Sequence, residues 1–117
     1  MPNKKNEKRF EGKGRVGSRQ LLLQVLYQYQ KNDDDVATLM KQSSHLKEYK
    51  RIDQDYFKLL LEGIVLSKDD LEKMITPHID RPIDQIDSIE RAIIWISVYE
   101  ISNTDIPNSV AINEAIE

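Results

Sequence analysis

Apolar residues return along this chain at helical intervals, and no stretch alternates apolar and polar positions as a half-buried strand would. Leu22, Val25, Leu26 and Tyr29 fall at i, i+3, i+4 and i+7, one face of a helix that reaches about Lys31. Ser18 stands just ahead of that face, where its hydroxyl can accept a backbone N–H of the first turn, so it predicts the helix start. Asn32 to Asp35 end this helix and lead into a second, marked by the thinner stripe Val36, Leu39 and Met40. Asp53 predicts the cap of the longest periodic segment, in which Phe57, Leu60, Leu61, Ile64, Leu71 and Ile75 keep returning to one side. One long helix satisfies this pattern, and so do two with a break near Ser67.

Pro77 and Pro82 bound the loop TPHIDRPID, because a proline disfavours helical geometry at the residue before it. In the following DSIERAIIWISVYEI, Asp87 or Ser88 can cap. Ile89, Ile93, Ile96 and Glu100 mark one line of that helix, and Ala92, Trp95 and Tyr99 the adjacent one. A helix apolar around most of its girth belongs at the centre of a bundle. NTDIPNS then reads as a turn, and VAINEAIE as the beginning of a last helix about two turns long, a length marginal in water unless it docks. The expected class is all-α, a helical bundle.

At 117 residues the chain is long enough for one compact domain. Its 39% hydrophobic and 32% charged residues place it with globular proteins. With no cysteine, disulfides and thiolate chemistry are excluded, and a cytoplasmic location is expected. No apolar run approaches the roughly 18 residues that span a bilayer, so no membrane association is expected. The net charge of −3 conceals an asymmetry: residues 1–17 hold six bases against two acids, a net of +4, which leaves −7 for residues 18–117. Positive potential is concentrated at one end, where a polyanion would be drawn first.

Catalytic and metal chemistry is poorly represented. The glycine spacing of EGKGRVG superficially matches a phosphate loop, but no strand precedes it. His45 and His78 are far apart and lack partners at metal-ligand spacing, which points to surface or loop roles. The acids of DDD (33–35) and KDDLE (68–72) are expected at helix starts, where the helix dipole accounts for them. No Ser, His and Asp set can be assembled. We expect no catalytic residue, no metal and no cofactor.

The basic start is the feature that composition explains least. With Gly12, Gly14 and Gly17 and no apolar period, residues 1–17 are expected to be a flexible arm when free, followed by a helical domain over 18–117. Lys4, Lys5, Lys8, Arg9, Lys13, Arg15 and Arg19 are the candidate RNA-binding cations. Solvated terminal charges are common, yet two details favour a role. Arg19 lies in the first predicted turn, so a phosphate would meet both side-chain cations and the positive helix end. Arg15 and Arg19 would share one face if the helix extended backward on binding, as arginine-rich RNA segments fold on contact. Tyr29, Trp95 and Tyr99 fall on or near the apolar lines and are expected in the core. Tyr27 is on the flank of its stripe, and Glu90 and Arg91 open their helix on its polar side, where a partner could reach them; for Glu90 a stabilising interaction with the helix dipole is the alternative.

The stretches RQLLLQVLYQYQ (19–30), DYFKLLLEGIV (55–65), IERAIIWISVYEI (89–101) and above all DIPNSVAINEAIE (105–117) resemble the bacterial NusB transcription antitermination family in order and spacing, over roughly residues 15–117. The resemblance implies an all-α fold of two packed helical sub-bundles, here with the last helices truncated, and a role without catalysis. It implies pairing with the ribosomal protein NusE, binding of the heterodimer to single-stranded boxA-type RNA, and action with the RNA polymerase antitermination complex, notably in ribosomal RNA transcription. By position, Arg15 and Arg19 match the family's arginine-rich start, Tyr27 the first-helix tyrosine and Glu90 the acid opening the central helix. Val16 and Gly17 interrupt the basic run, which spreads its charge upstream over Lys4 to Lys13. Two other roles are compatible with the resemblance: an accessory domain of an RNA cytosine methyltransferase, and a helical module that self-associates, for example as a homodimer.

Overall fold

The computed structural model describes the backbone of residues 4–103 and the side chains of residues 14–103. These residues form four α-helices, α1 (Lys4–Asn32), α2 (Val36–Ser44), α3 (Gln54–Ile75) and α4 (Ser88–Asn103), with short 3-10 turns at Lys47–Arg51, Thr76–His78 and Ile83–Gln85. No strand occurs among the described residues, and none of their helices is long and apolar enough to cross a membrane. The chain divides into two compact units, Met1–Leu59 and Leu60–Glu117. The expected final turn and helix, NTDIPNS and VAINEAIE, lie largely outside the described residues.

In the first unit α1, α2 and the 47–51 turn contact one another. Leu22, Val25, Leu26 and Tyr29 are all buried, as their spacing predicts, together with Leu21, Leu39, Tyr56 and Phe57. Tyr49 meets Phe57 edge-on, ring centroids 6.0 Å apart. At the end of α1, Asp33 takes a positive φ of 53°, a left-handed position that Asp tolerates better than most residues. Asp35 then caps α2, its Oδ1 accepting the Thr38 N–H at 2.8 Å. Hydrogen bonds from the Thr38 side chain and backbone hold the Asp35 carboxyl below the usual aspartate value.

The helix boundary at the front of the chain differs from expectation. α1 begins at Lys4, so Ser18 lies inside it rather than at its cap. Ser18 is fully buried, with its hydroxyl 2.8 Å from the Gly14 carbonyl and 2.7 Å from the Asp53 carbonyl. One proton serves both acceptors, tying α1 to the residue that starts α3. Asp53 behaves as predicted: its Oδ1 accepts the Tyr56 N–H at 3.0 Å, the capping geometry that opens α3.

The second unit contains the rest of α3, the two proline-bounded turns and α4. α3 is continuous to Ile75 with no break at Ser67. Consequently the acids of KDDLE sit in a helix interior and not at a helix start, which corrects the dipole explanation for them. Asp87, not Ser88, caps α4, its Oδ1 accepting the Ile89 N–H at 2.8 Å. Leu60, Leu61, Ile64, Leu71, Ala92, Trp95, Ile96 and Tyr99 are buried. The expected line through Ile89 fails at its first member, which is 47% exposed, but holds at Ile96 and extends to Glu100, only 1% exposed. Gly63 permits close approach of α3 to α4, because a Cβ there would overlap the Tyr99 hydroxyl and ring. Gly63→Ala should therefore lower stability by about 1 kcal/mol despite its better helix propensity, since overpacking of about 1–3 kcal/mol outweighs a propensity gain of about 1. Urea unfolding followed by Trp95 fluorescence measures this; a more stable variant would show that Tyr99 yields without cost.

Candidate nucleic-acid interface

The junction of α1 with the start of α3 brings two of the predicted cations together. The Asp53 N–H donates to the Gly14 carbonyl at 3.1 Å. A Cβ on Gly14 would stand 3.1 Å from Asp53 Cβ, and one on Gly17 would stand 3.1 Å from Ile52 Cγ2. These glycines therefore let residues 52–53 lie directly on α1. With Asp53 fixed there as the cap of α3, Tyr56 in the first turn of α3 comes beside the α1 face that carries Arg15 and Arg19. The Arg15 guanidinium carbon lies 4.4 Å from the Tyr56 ring centroid and that of Arg19 5.9 Å. Both distances are within cation–π range.

Arg15 and Arg19 thus share a helix face, as their spacing predicts, and α1 runs through both of them. Lys4, Lys5, Lys8, Arg9 and Lys13 fall within the α1 span, with side chains outside the described set. On another face of α1, away from Arg15 and Arg19, an open cleft of about 240 Å³ is lined by Gly17, Gln20, Leu21, Gln24, Glu48, Arg51 and Ile52. The 47–51 turn adds exposed Lys47, Lys50 and Arg51 against Glu48, a second basic group in the same unit. Sequence reasoning missed this group and Tyr56. The run KEYKR was visible as a local reversal of the acidic balance, whereas nothing local singles out Tyr56.

The predicted partner-facing residues are less uniform. Tyr27 is half-buried, and Lys31 one turn later places its ammonium 4.3 Å from the ring centroid. Glu90 is exposed in the first turn of α4. Arg91 is not an open polar group: its Nε donates to Glu72 Oε1 at 2.7 Å, and its Nη2 also pairs with that oxygen. Trp95 Nε1 donates to the same oxygen at 3.1 Å, and the Arg91 guanidinium lies 5.3 Å from the Trp95 ring. Trp95, Tyr29 and Tyr99 are buried core residues, so they offer no stacking face to a base. His45 and His78 are exposed.

The sequence profile of the NusB family matches residues 17–117. The chain belongs to the NusB family. Transcription antitermination protein NusB from Shewanella pealeana is 37% identical over 101 residues, covering 86% of this chain and 75% of the relative. The proteins of the same name from Pseudoalteromonas translucida and Shewanella oneidensis are 38% and 36% identical, each over 86% of this chain and over 74% and 75% of their own lengths. The all-α architecture of the described residues agrees with NusB membership, and the relatives carry the name of a transcription antitermination protein. The NusB match begins at Gly17, so it includes Arg19, Tyr27, Glu90 and Arg91, while Lys4 to Arg15 precede it.

Proposed function

We propose that this NusB-family chain is a transcription antitermination factor that binds single-stranded, boxA-type RNA through the basic face of α1 and pairs with ribosomal protein NusE, acting with RNA polymerase chiefly in ribosomal RNA transcription. The convergence of Arg15 and Arg19 at the α1–α3 junction carries the RNA part of this reading. Lys4, Lys5, Lys8, Arg9 and Lys13 continue the positive run toward the chain start. The cleft elsewhere on the first unit, with Gln20, Gln24 and Arg51 along it, offers further hydrogen-bonding groups to RNA. Tyr27 and Glu90 are the proposed NusE-facing residues, while Arg91 is engaged in its pair with Glu72.

A cation-held strand gives a salt signature. If about five phosphates are neutralised, log affinity should fall with log salt at a slope of roughly −3 to −4. The decisive experiment is a mobility-shift series with a boxA-type oligoribonucleotide and a scrambled control, each with and without NusE, over a range of salt. Preference for boxA that NusE sharpens supports the proposal. Equal binding in all four mixtures would reduce it to generic polyanion attraction.

A further inference from the structure

We infer that the cleft between α1 and the 47–52 segment is a guanine-binding subsite for single-stranded RNA, with Glu48 and Arg51 reading the edges of the base. This rests on the RNA-binding reading above and deepens it by naming the base that one part of the first unit selects. The lining of the cleft divides by burial. Leu21 is 2% exposed and Gly17 and Ile52 are half-buried, which gives an apolar floor, whereas Gln20, Gln24, Glu48 and Arg51 are exposed and form a polar rim. Gly17 makes the floor possible, since a Cβ there would stand only 3.1 Å from Ile52 Cγ2. At about 240 Å³ the cleft is smaller than the roughly 300–1,000 Å³ of sites for drug-sized ligands, so it suits one planar group with an apolar face and polar edges.

The rim decides which group. Glu48 and Arg51 are three residues apart in a 3-10 turn, where side chains at i and i+3 eclipse, and both line the cleft. Opposite charges so placed can close on each other, yet among the described residues neither makes an ion pair or a side-chain hydrogen bond, and nor do the Gln20 and Gln24 amides. A carboxylate can accept two N–H groups at once, and guanine alone among the four RNA bases presents a ring N1–H beside an exocyclic N2–H on one edge. Its other edge carries O6 and N7, the acceptor pair that an arginine fork takes. The glutamine amides both donate and accept, so they tolerate any base and leave the selection to the charged pair. Lys47 and Lys50, exposed on the same turn, supply charge for the flanking phosphates. Three bases against one acid favour a polyanion over a basic peptide here, and Glu48 is the group that a purely phosphate-binding turn would not use.

The test uses the full chain and short fluorescein-labelled oligouridylates carrying one central guanosine, inosine, 7-deazaguanosine or adenosine, with affinity read by anisotropy. The parent should bind the guanosine strand about tenfold more tightly than the inosine strand, which lacks the N2 amino group, and about fivefold more tightly than the 7-deaza strand, which lacks N7; a good bidentate pair is worth roughly 5- to 150-fold. Adenosine should fall with inosine or below it. Glu48→Gln should shrink the guanosine-to-inosine ratio below about twofold without weakening the strands overall, because it also removes a negative charge. Arg51→Met should shrink the guanosine-to-7-deaza ratio below about twofold and flatten the salt slope for every strand by about 0.7, the share of one phosphate. Each ratio compares two strands on one variant, so a change in folding or in general electrostatics cancels from it. A parent that binds all four strands equally, or a guanosine-to-inosine ratio that survives Glu48→Gln, would overturn the guanine site while leaving the RNA reading in place. A parent with no salt-dependent binding of any strand would overturn the RNA reading and this inference with it.

Discussion

Glu72→Ala should lower the free energy of unfolding by about 3 kcal/mol. One carboxylate oxygen takes the Arg91 Nε, the Arg91 Nη2 and the Trp95 indole N–H. The side chains of Arg91 and Glu72 are only 27% and 14% exposed, so this is neither a solvated surface pair nor a fully dry one. Exposed pairs contribute about 0–1 kcal/mol and breaking a buried one costs about 3–5. Partial burial places the ionic part near 2 kcal/mol, and the stranded indole donor adds about 1. Glu72→Gln keeps a neutral acceptor and should lose roughly half as much. Arg91→Met keeps much of the apolar stem over Trp95 and should also cost less than Glu72→Ala. Chemical denaturation followed by Trp95 fluorescence reports on the unit that holds all three residues. A Glu72→Ala loss below about 1 kcal/mol would return the cluster to the class of surface ion pairs.

That cluster also marks where reading the sequence stopped short. Caps such as Asp53 and Asp87 were legible because the side chain and the backbone donor it serves lie two or three residues apart. The apolar line Leu22, Val25, Leu26 and Tyr29 was legible because helical period alone puts those residues on one face. Ser18 fails as a cap because its decisive partner, the Asp53 carbonyl, is 35 positions away. Before a glycine or serine ahead of an apolar run, local chemistry says flexibility and capping; an approaching backbone makes the same small residues packing points inside a longer helix. Glu72 follows the same logic, since its partners Arg91 and Trp95 are 19 and 23 positions on. From the candidate site, the Arg15 and Arg19 face was readable from the i, i+4 spacing. The ring beside it belongs to another helix and was not.

Replacing Lys4, Lys5, Lys8, Arg9 and Lys13 by glutamine should weaken RNA binding by roughly 10²- to 10³-fold at low salt and flatten the log–log slope to about −1.4, the value for the two cations Arg15 and Arg19 that remain. Substitution is a better test than deletion of residues 1–17, and the structure says why. Deletion takes away the Gly14 carbonyl that receives the Asp53 N–H, the Gly14 and Gly17 surface on which residues 52–53 rest, and Arg15 itself. Weaker binding after such a cut would mix lost charge with a displaced α3 start. Glutamine is close to lysine and arginine in helix propensity, so α1 keeps its intrinsic helical preference while its charge changes. Far-UV circular dichroism and the unfolding midpoint should then match the parent, and the whole effect should appear in affinity and salt dependence. Full affinity in the five-glutamine variant would confine RNA contact to Arg15, Arg19 and the Arg51 side of the cleft. The upstream bases would then be solvated charge, and the first-unit surface from Arg15 onward, nearly all of it within the NusB match, would carry the binding by itself.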